Sequence, residues 1–581
     1  MNDNAPGNNQ MKSPTIQKEL TRACATEVTN VILNDIGDNI FSLMVDECRD
    51  SSVKEQMGVV LRYVNKQGCV IERFLAVVHV SDTSAISLKK AIDELFAKHK
   101  LSLSRLRGQG YDGASNMRGE YNGLKALILK ENSSARYIHC FSHQLQLVVV
   151  AVAKSNRIVS DFFQYVTMIV NIAGASCKRK DKFRQIEHDR LLEGLEKGDI
   201  VSGKGKNQEI SLKRPGDTRW GSHYMTIVRL ISSWNSVLQV LENVHDDGTN
   251  DDSSGMAASL IDKMENYEFV FVMHFMKYLL GITNELSLAL QQKNQNMVLA
   301  VSLIKTMKVR LQKFREEGWE KHLDVVNTFC SNHMILVPNM EENIRIRGRS
   351  RRNGQMITNF HHYRVGIFCE VLILYTLLNF SIFMILLSNT FCIHLLLLFQ
   401  VLDMMIQEMN NRFSESNTEV LTCIACLDPK DSFSQFDIGK LLHLAKLYPE
   451  DFSLTDHIIL ENQLETYILN VREEDEFSMI EDLESLAKKM VETGKNTVFS
   501  LVYRLIELAL VLPVTTASVE RVFSAMKIIK TDLRNRMGDE WMNDSLVVYI
   551  EKEIFATIEN EQILQHFQQM NTRRTQLSPL V

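Results

Sequence analysis

Proline is scarce in this chain, with 8 in 581 residues. So few helix breakers suit a largely helical fold, as do 26 methionines. The ten cysteines have no framework spacing in so long a chain. That excludes a disulfide-stapled secreted scaffold and points to a reducing compartment. A strong charge of either sign is also missing. The net charge is −6 with 23% charged residues, so bulk charge argues neither for nor against a nucleic-acid partner. Met1 to Gln10 has no basic n-region and no apolar h-region, so it does not read as a secretory signal. What is present is length and apolar content: 45% hydrophobic residues over a chain long enough for several domains and a large core.

Residues 1–15, with Asn, Gly and Pro, read as a flexible N-terminus. A helix follows from about Ile16 to Leu33. Ile40 to Glu47 is a short apolar run ending in two carboxylates, Asp46 and Glu47. Met57–Val64 and Val70–Val80 are two further strands, joined by a hairpin turn at Asn65-Lys66-Gln67-Gly68. Asp82-Thr83-Ser84 caps a helix with Leu88, Ile92, Leu95 and Phe96 on one face. Leu106–Asp112 reads as a fourth strand, Leu124–Lys130 as a helix, Tyr137–Cys140 as a fifth strand and Phe141–Ala153 as an apolar helix. Three antiparallel strands followed by parallel strands reached through helices make a mixed sheet covered by helices. That is the ribonuclease-H-like layout. It sets Asp46 and Asp112 at the ends of adjacent strands.

Four motifs then occur in order: Gly108-Gln109-Gly110-Tyr111-Asp112-Gly113-Ala114-Ser115-Asn116-Met117, Cys140-Phe141-Ser142-His143-Gln144-Leu145, Asp217-Thr218-Arg219-Trp220 and Ser518-Val519-Glu520-Arg521-Val522-Phe523-Ser524. Together they resemble the hAT transposase superfamily, most closely its plant branch similar to zinc finger MYM-type protein 1. The resemblance covers nearly the whole chain apart from about 366–400. It implies an α/β ribonuclease-H-like catalytic core interrupted by a large all-α insertion, with a helical C-terminal dimerisation region. The corresponding segments are the first part of the core at 16–155, the helical insertion at 156–474, the dimerisation region at 475–555 and a tail at 556–581. It also implies an acidic triad at Asp46, Asp112 and Glu520.

Three carboxylates from distant segments are what a two-metal phosphoryl-transfer site needs. The expected cofactors are two divalent ions, Mg²⁺ or Mn²⁺, on hard oxygen ligands, with DNA as substrate. Glu47 is a rival ligand to Asp46. Cys140-x-x-His143 has no second half to complete a zinc site, and Cys423 and Cys426 form a lone pair inside a helix. Through the resemblance, Cys140 and His143 are site-shaping residues. Arg219 would meet a phosphate and Trp220 would stack on a base; burial of Trp220 against the insertion is the alternative. The family usually carries a zinc-binding DNA module ahead of the core, whereas here only Cys24 precedes Asp46.

Two basic runs, Lys178-Arg179-Lys180 with Lys182 and Arg184, and Arg345 to Arg352, read as phosphate contacts, a nuclear import signal or solvated loops, the second run favouring import. Asp246-Asp247-Gly248 to Ser254-Gly255 reads as an acidic loop between two helices. Val371 to Phe399 has no charged residue, which by length would license a membrane span. Its setting in a helical insertion, the Val365-Gly366 start and the Leu-rich end at Phe399-Gln400 instead read as a translated intron over 366–400. Near the C-terminus, Phe477, Ile480, Leu483, Leu486 and Ala487 suggest one amphipathic helix. Val498–Leu512 is so apolar that it must be buried, in the core or against a second copy. The resulting expectation is a nuclear, homodimeric hAT-type transposase acting on DNA, with no small-molecule substrate. The alternative is a domesticated or decayed copy that dimerises and associates with DNA without catalysis.

Overall fold

The computed structural model describes residues 13–174, 176–196, 212, 220–247, 251–292, 295–346, 355–368, 401–413 and 418–570. The expectations for Arg219, for most of the second basic run and for 369–400 lie outside them. The chain divides into two compact units. One comprises Met1–Gln144, Ala289–Ser302 and Glu415–Val581; the other comprises Leu145–Leu288 and Leu303–Ser414.

The first unit holds a five-stranded sheet of β1 (Phe41–Arg49), β2 (Glu55–Val64), β3 (Val70–His79), β4 (Leu106–Tyr111) and β5 (Arg136–His139), in the order β3-β2-β1-β4-β5. The first three strands are antiparallel; β4 and β5 run parallel to β1. The hairpin between β2 and β3 closes where Asn65 accepts the Gly68 N–H at 3.0 Å, with Gly68 at φ +77°, a conformation that favours glycine. Helix α1 (Pro14–Ile36) precedes the sheet. Helix α2 (Ala85–His99) carries the chain from the β3 edge back to pair beside β1, as a parallel neighbour requires. Ser84 caps α2 by accepting the Ser87 N–H, and Leu88, Ile92, Leu95 and Phe96 are its buried face. Helix α3 (Leu124–Glu131) links β4 to β5, and α4 (Phe141–Ser155) leaves β5. Residues Phe41–Val45 of β1 and Gln56–Val64 of β2 are buried without alternation, the mark of strands covered on both faces.

The C-terminal helices complete this unit. Helix α5 (Ser500–Val511) buries Val502, Leu505, Ile506 and Leu508–Val511 within its own chain. Helix α6 (Ala517–Ile529) lays Val519, Val522, Phe523 and Met526 on the sheet core, and α7 (Asp539–Ile550) adds Met542, Leu546 and Val547. The β3 strand, at one end of the sheet, is partly satisfied from here: the Val77 N–H donates to Asn543 at 2.9 Å and the Phe74 N–H to Glu551 at 2.8 Å. Such pairing removes donors that would otherwise invite edge-to-edge association.

Several local expectations change. Strand β1 runs on to Arg49, so Asp46 lies within the strand and not at its end. Asp112 falls one residue beyond β4. The helix expected across Phe477–Ala487 is two, Asp475–Ser478 and Leu483–Glu492, because Asp482 caps a fresh start by accepting the Ser485 N–H. The acidic stretch is shorter than expected, since Asp251–Met264 is already helical.

The second unit is helical, with helices Arg157–Gly174, Cys177–Glu196, Trp220–Ser232, Trp234–Asp246, Asp251–Met264 and Val401–Arg412 and the major parts of Tyr267–Leu290 and Met297–Asn332. A two-stranded ribbon pairs Asn343–Ile346 with Gln355–Thr358. Its core is aromatic: Phe271 meets His322 edge-on at 4.6 Å, and Trp234 meets Phe329 at 5.1 Å. Among the described residues no single helix is long and apolar enough to cross a membrane.

Candidate functional site

Register brings the two aspartates together. Met44 of β1 is paired with Gly110 of β4, and each strand advances two residues to its acid, Asp46 on one and Asp112 on the other. The two acids come near enough for the Asp112 charge to act on the Asp46 carboxyl. Glu520 arrives in the first turn of α6. Burial raises the Asp46 carboxyl to about 7, with the charges of Asp112, Glu520 and Glu47 adding to it; only the Glu47 N–H, donated to Oδ1 at 2.9 Å, pulls the other way. Glu47 is also raised to about 7, by burial and then by Asp112 and Glu55. Asn116 Nδ2 donates to Glu47 Oε1 at 3.5 Å and to the Thr83 carbonyl at 2.7 Å, holding the fourth acid. Asp112 accepts the Ala114 N–H at 3.1 Å, and Tyr137 Oη fixes its carbonyl at 2.9 Å.

The acids converge within electrostatic reach of one another. Even so, among the described residues no three His, Cys, Asp or Glu side chains are close enough to hold a metal ion together. The donor set itself, carboxylate oxygens of which Asp46 and Glu47 are raised chiefly by burial and further by neighbouring acids, suits a hard divalent cation.

Glycines let α6 come this close. A Cβ on Gly58, the residue paired with Asp46, would lie 2.7 Å from Val519 Cγ1 and 3.2 Å from Phe523. Pro513 sits on a shelf made by Gly108 and Gly110: their Cβ atoms would fall 2.9 and 2.7 Å from its ring. Gly113 lies on the His139 ring in the same way, at 2.5 Å. Thr516, at the N-cap of α6, makes no side-chain cap. Instead Cys140 Sγ accepts the Thr516 N–H at 3.3 Å and its hydroxyl at 3.4 Å, and the Phe141 N–H donates to the Val514 carbonyl at 3.0 Å. Burial pushes the Cys140 thiol up, consistent with a neutral sulfur. His143 is half-buried, its ring 5.7 Å from that of His139. Trp220 opens its helix in the second unit.

Ser518 and Arg521, beside Glu520, have another task. Arg62 of β2 is fully buried; it donates to the Leu510 carbonyl at 2.9 Å, to the Gln295 carbonyl at 2.7 Å and to Glu72 of β3 at 2.8 Å. The other Glu72 oxygen accepts from Ser518, which also accepts from Arg521. At the other end of α6, Lys530 forms a buried pair with Asp50 at 2.7 Å, and Gln56 donates to the same carboxylate at 3.0 Å. Sequence reading singled out none of Gly58, Arg62, Glu72, Asp50 or Lys530. The available signal was Gly58, a glycine inside a strand pattern, which marks a close approach.

Two segments match known families: residues 1–123 match the ZMYM1/FAM200 RNase-like domain, and residues 469–554 match the hAT family C-terminal dimerisation region. A human protein, the 52 kDa repressor of the inhibitor of the protein kinase, is 20% identical over 552 residues. The alignment takes in 93% of this chain and 66% of the human protein.

Proposed function

We propose, for a chain that matches an RNase-like domain over residues 1–123 and the hAT C-terminal dimerisation region over residues 469–554, a DNA strand-cleaving and strand-transferring protein of the hAT type. Its catalytic centre is Asp46, Asp112 and Glu520 in a ribonuclease-H-like core, and it works as a self-associated, nuclear protein with no small-molecule substrate. The observation that carries this reading is the Asp46 carboxyl, raised to about 7 first by burial and then by the charges of Asp112 and Glu520, which lie within electrostatic reach of it. The three acids come from three distant segments of the chain, and Asp112 and Glu520 both act on Asp46.

Two divalent cations, Mg²⁺ or Mn²⁺, would supply activation of water or a 3′-hydroxyl and neutralisation of the leaving oxygen. Asp46 and Asp112 would hold them from the sheet and Glu520 from the helix. Cys140 acts indirectly, by fixing the start of α6 and so the reach of Glu520. Asn116 orients Glu47, which stands ready as an alternative ligand. Trp220 and Arg219 belong to DNA contact in this reading.

The test is divalent-dependent nicking and strand transfer of DNA ends by the full chain, beside Asp112→Asn and Glu520→Gln variants. Loss of metal-dependent cleavage in both variants, with folding intact, is the expected outcome. A second reading is favoured by the lack of any three described acids at ligating distance and by a relative named as a repressor. In that reading the chain is a domesticated, non-catalytic nuclear factor that self-associates on DNA. A folded, self-associated protein that binds DNA but does not cleave it in either metal would select this second reading and sink the first.

A further inference from the structure

The far end of α6 opens on a cleft of about 810 Å³, lined by Lys18 and Thr21 of α1, Ile529, the loop Arg534–Gly538, and Trp541, Ser545, Val548 and Tyr549 of α7. Three cations, Lys18, Arg534 and Arg536, line it, and no acidic residue does. None of the three pairs with an acid among the described residues. The nearby acids are engaged elsewhere: Glu540 and Asp544 with Arg22, and Asp539 with Lys54. Lys18 stands over the Trp541 ring at 5.2 Å, and Tyr549 is 49% exposed. Unpaired cations are ordinary on a protein surface. Cations gathered in a concave site with two aromatic rings and no counter-charge are a less common combination.

We propose that this cleft binds a single strand of nucleic acid, its phosphates on Arg534 and Arg536 and a base on Tyr549. Guanidinium groups match phosphate oxygens in a bidentate fork, and an exposed aromatic face stacks on any base. A duplex hides its base faces, so the aromatic lining has a partner only in an unpaired strand. Glu520 in the first turn of α6 and Ile529 in its last are about 13 Å apart along the axis at 1.5 Å per residue. That distance equals about four stacked nucleotides at 3.4 Å each. In length alone, a strand of a few nucleotides seated in the cleft matches the span of α6 between its two ends. The inference gives the DNA partner proposed above a place on the surface, but it needs no catalysis and no metal.

The experiment measures anisotropy of a labelled oligo-dT of about 16 nucleotides with the full chain in chelator, over a series of salt concentrations. Metal-dependent chemistry is then silent, so failure of the catalytic reading and failure of this one are distinct. R534A/R536A is expected to weaken binding about tenfold and to flatten the salt slope by about 1.4, the loss of two phosphate contacts. R534K/R536K is expected to keep the slope. Y549A is expected to abolish the preference for oligo-dT over an abasic strand of equal length. Binding and slope unchanged in R534A/R536A would overturn the proposal. So would unchanged strand binding with a loss of self-association by light scattering, which would make the cleft a contact between copies of the chain. Duplex bound as tightly as oligo-dT, with no effect of Y549A, would also overturn it.

Discussion

Two aspartates near one strand have opposite fates. Burial and neighbouring acids raise Asp46 to about 7. Asp50 is buried too, but hydrogen bonds from Lys530, Ser52, Lys54 and Gln56 outweigh that and hold its carboxyl well below the usual range. The folded pKa of Asp50 is depressed, so its stability is fully present above the unfolded value of about 4 and is lost progressively as the pH falls below that toward the lower folded value. Asp50→Ala leaves a buried lysine unpaired, and a loss of about 3–5 kcal/mol in denaturant unfolding is expected. Asp46 has the opposite sign. Its folded pKa is raised, so the charged acid costs stability that is recovered as the pH falls below 7. Asp46→Asn is therefore expected to stabilise the protein at pH 8 by about 1–2 kcal/mol and to do little at pH 5. Equal effects at both pH values would show that Asp46 is not under the charge of its neighbours.

At the scale of elements, the lesson lies in how α6 meets the sheet. The strand and helix pattern of the first unit was legible: the apolar strand runs, the Asn65–Gly68 turn and the buried face of α2 all follow from residue type and spacing. The pairing of β4 with β1 was legible as well, since a helix between strands demands a parallel neighbour. Positions set by contacts across hundreds of residues were not. Asp46 was placed at a strand end because carboxylates close apolar runs, yet Gln56 and Glu55 of β2 pair with Cys48 and Arg49 and carry the ladder past it. The Thr516 N–H at the start of α6 is satisfied by a sulfur 376 residues away in sequence. The strand and helix order alone put Asp46 and Asp112 near each other; Glu520 was joined to them through motif resemblance. Gly58→Leu places a side chain where Val519 and Phe523 already are. It is expected to cost about 1–3 kcal/mol in thermal unfolding and, if the acidic site cleaves DNA, to lower cleavage further by lifting Glu520 away. Full stability in G58L would mean that α6 does not rest on that glycine.

At the scale of the whole molecule, the two units answer to acid differently. Burial holds His322 at about 3 and His274 at about 4, so both are neutral in the folded second unit. Their folded pKa values lie below the unfolded value of about 6.5. Stability is complete above that value and is lost as the pH falls toward 4, at up to about 1.4 kcal/mol per pH unit for each histidine. The helical unit is therefore expected to loosen at a higher pH than the sheet unit. Fluorescence of Trp234, packed on Phe329, should change before circular dichroism of the sheet does. A simultaneous change would refute this order. The apolar run at 366–400 is expected to be absent from the main transcript, with Val365 joined to Val401. A cDNA that keeps the run as its principal form would count against that.

The buried pair of Asp50 with Lys530 spans 480 residues of sequence, and this has a consequence during synthesis. A ribosome delivers β1 and β2 first, and the helix that covers them almost last. For most of translation the sheet waits with its Val519-facing surface bare and Asp50 without its cation. A message cut short before α6 thus makes no partial enzyme and no half-affinity binder. It makes a nascent chain with an open apolar face, a substrate for chaperones and proteolysis. A copy of this gene that has lost its 3′ end should leave no stable protein, even where its RNA persists.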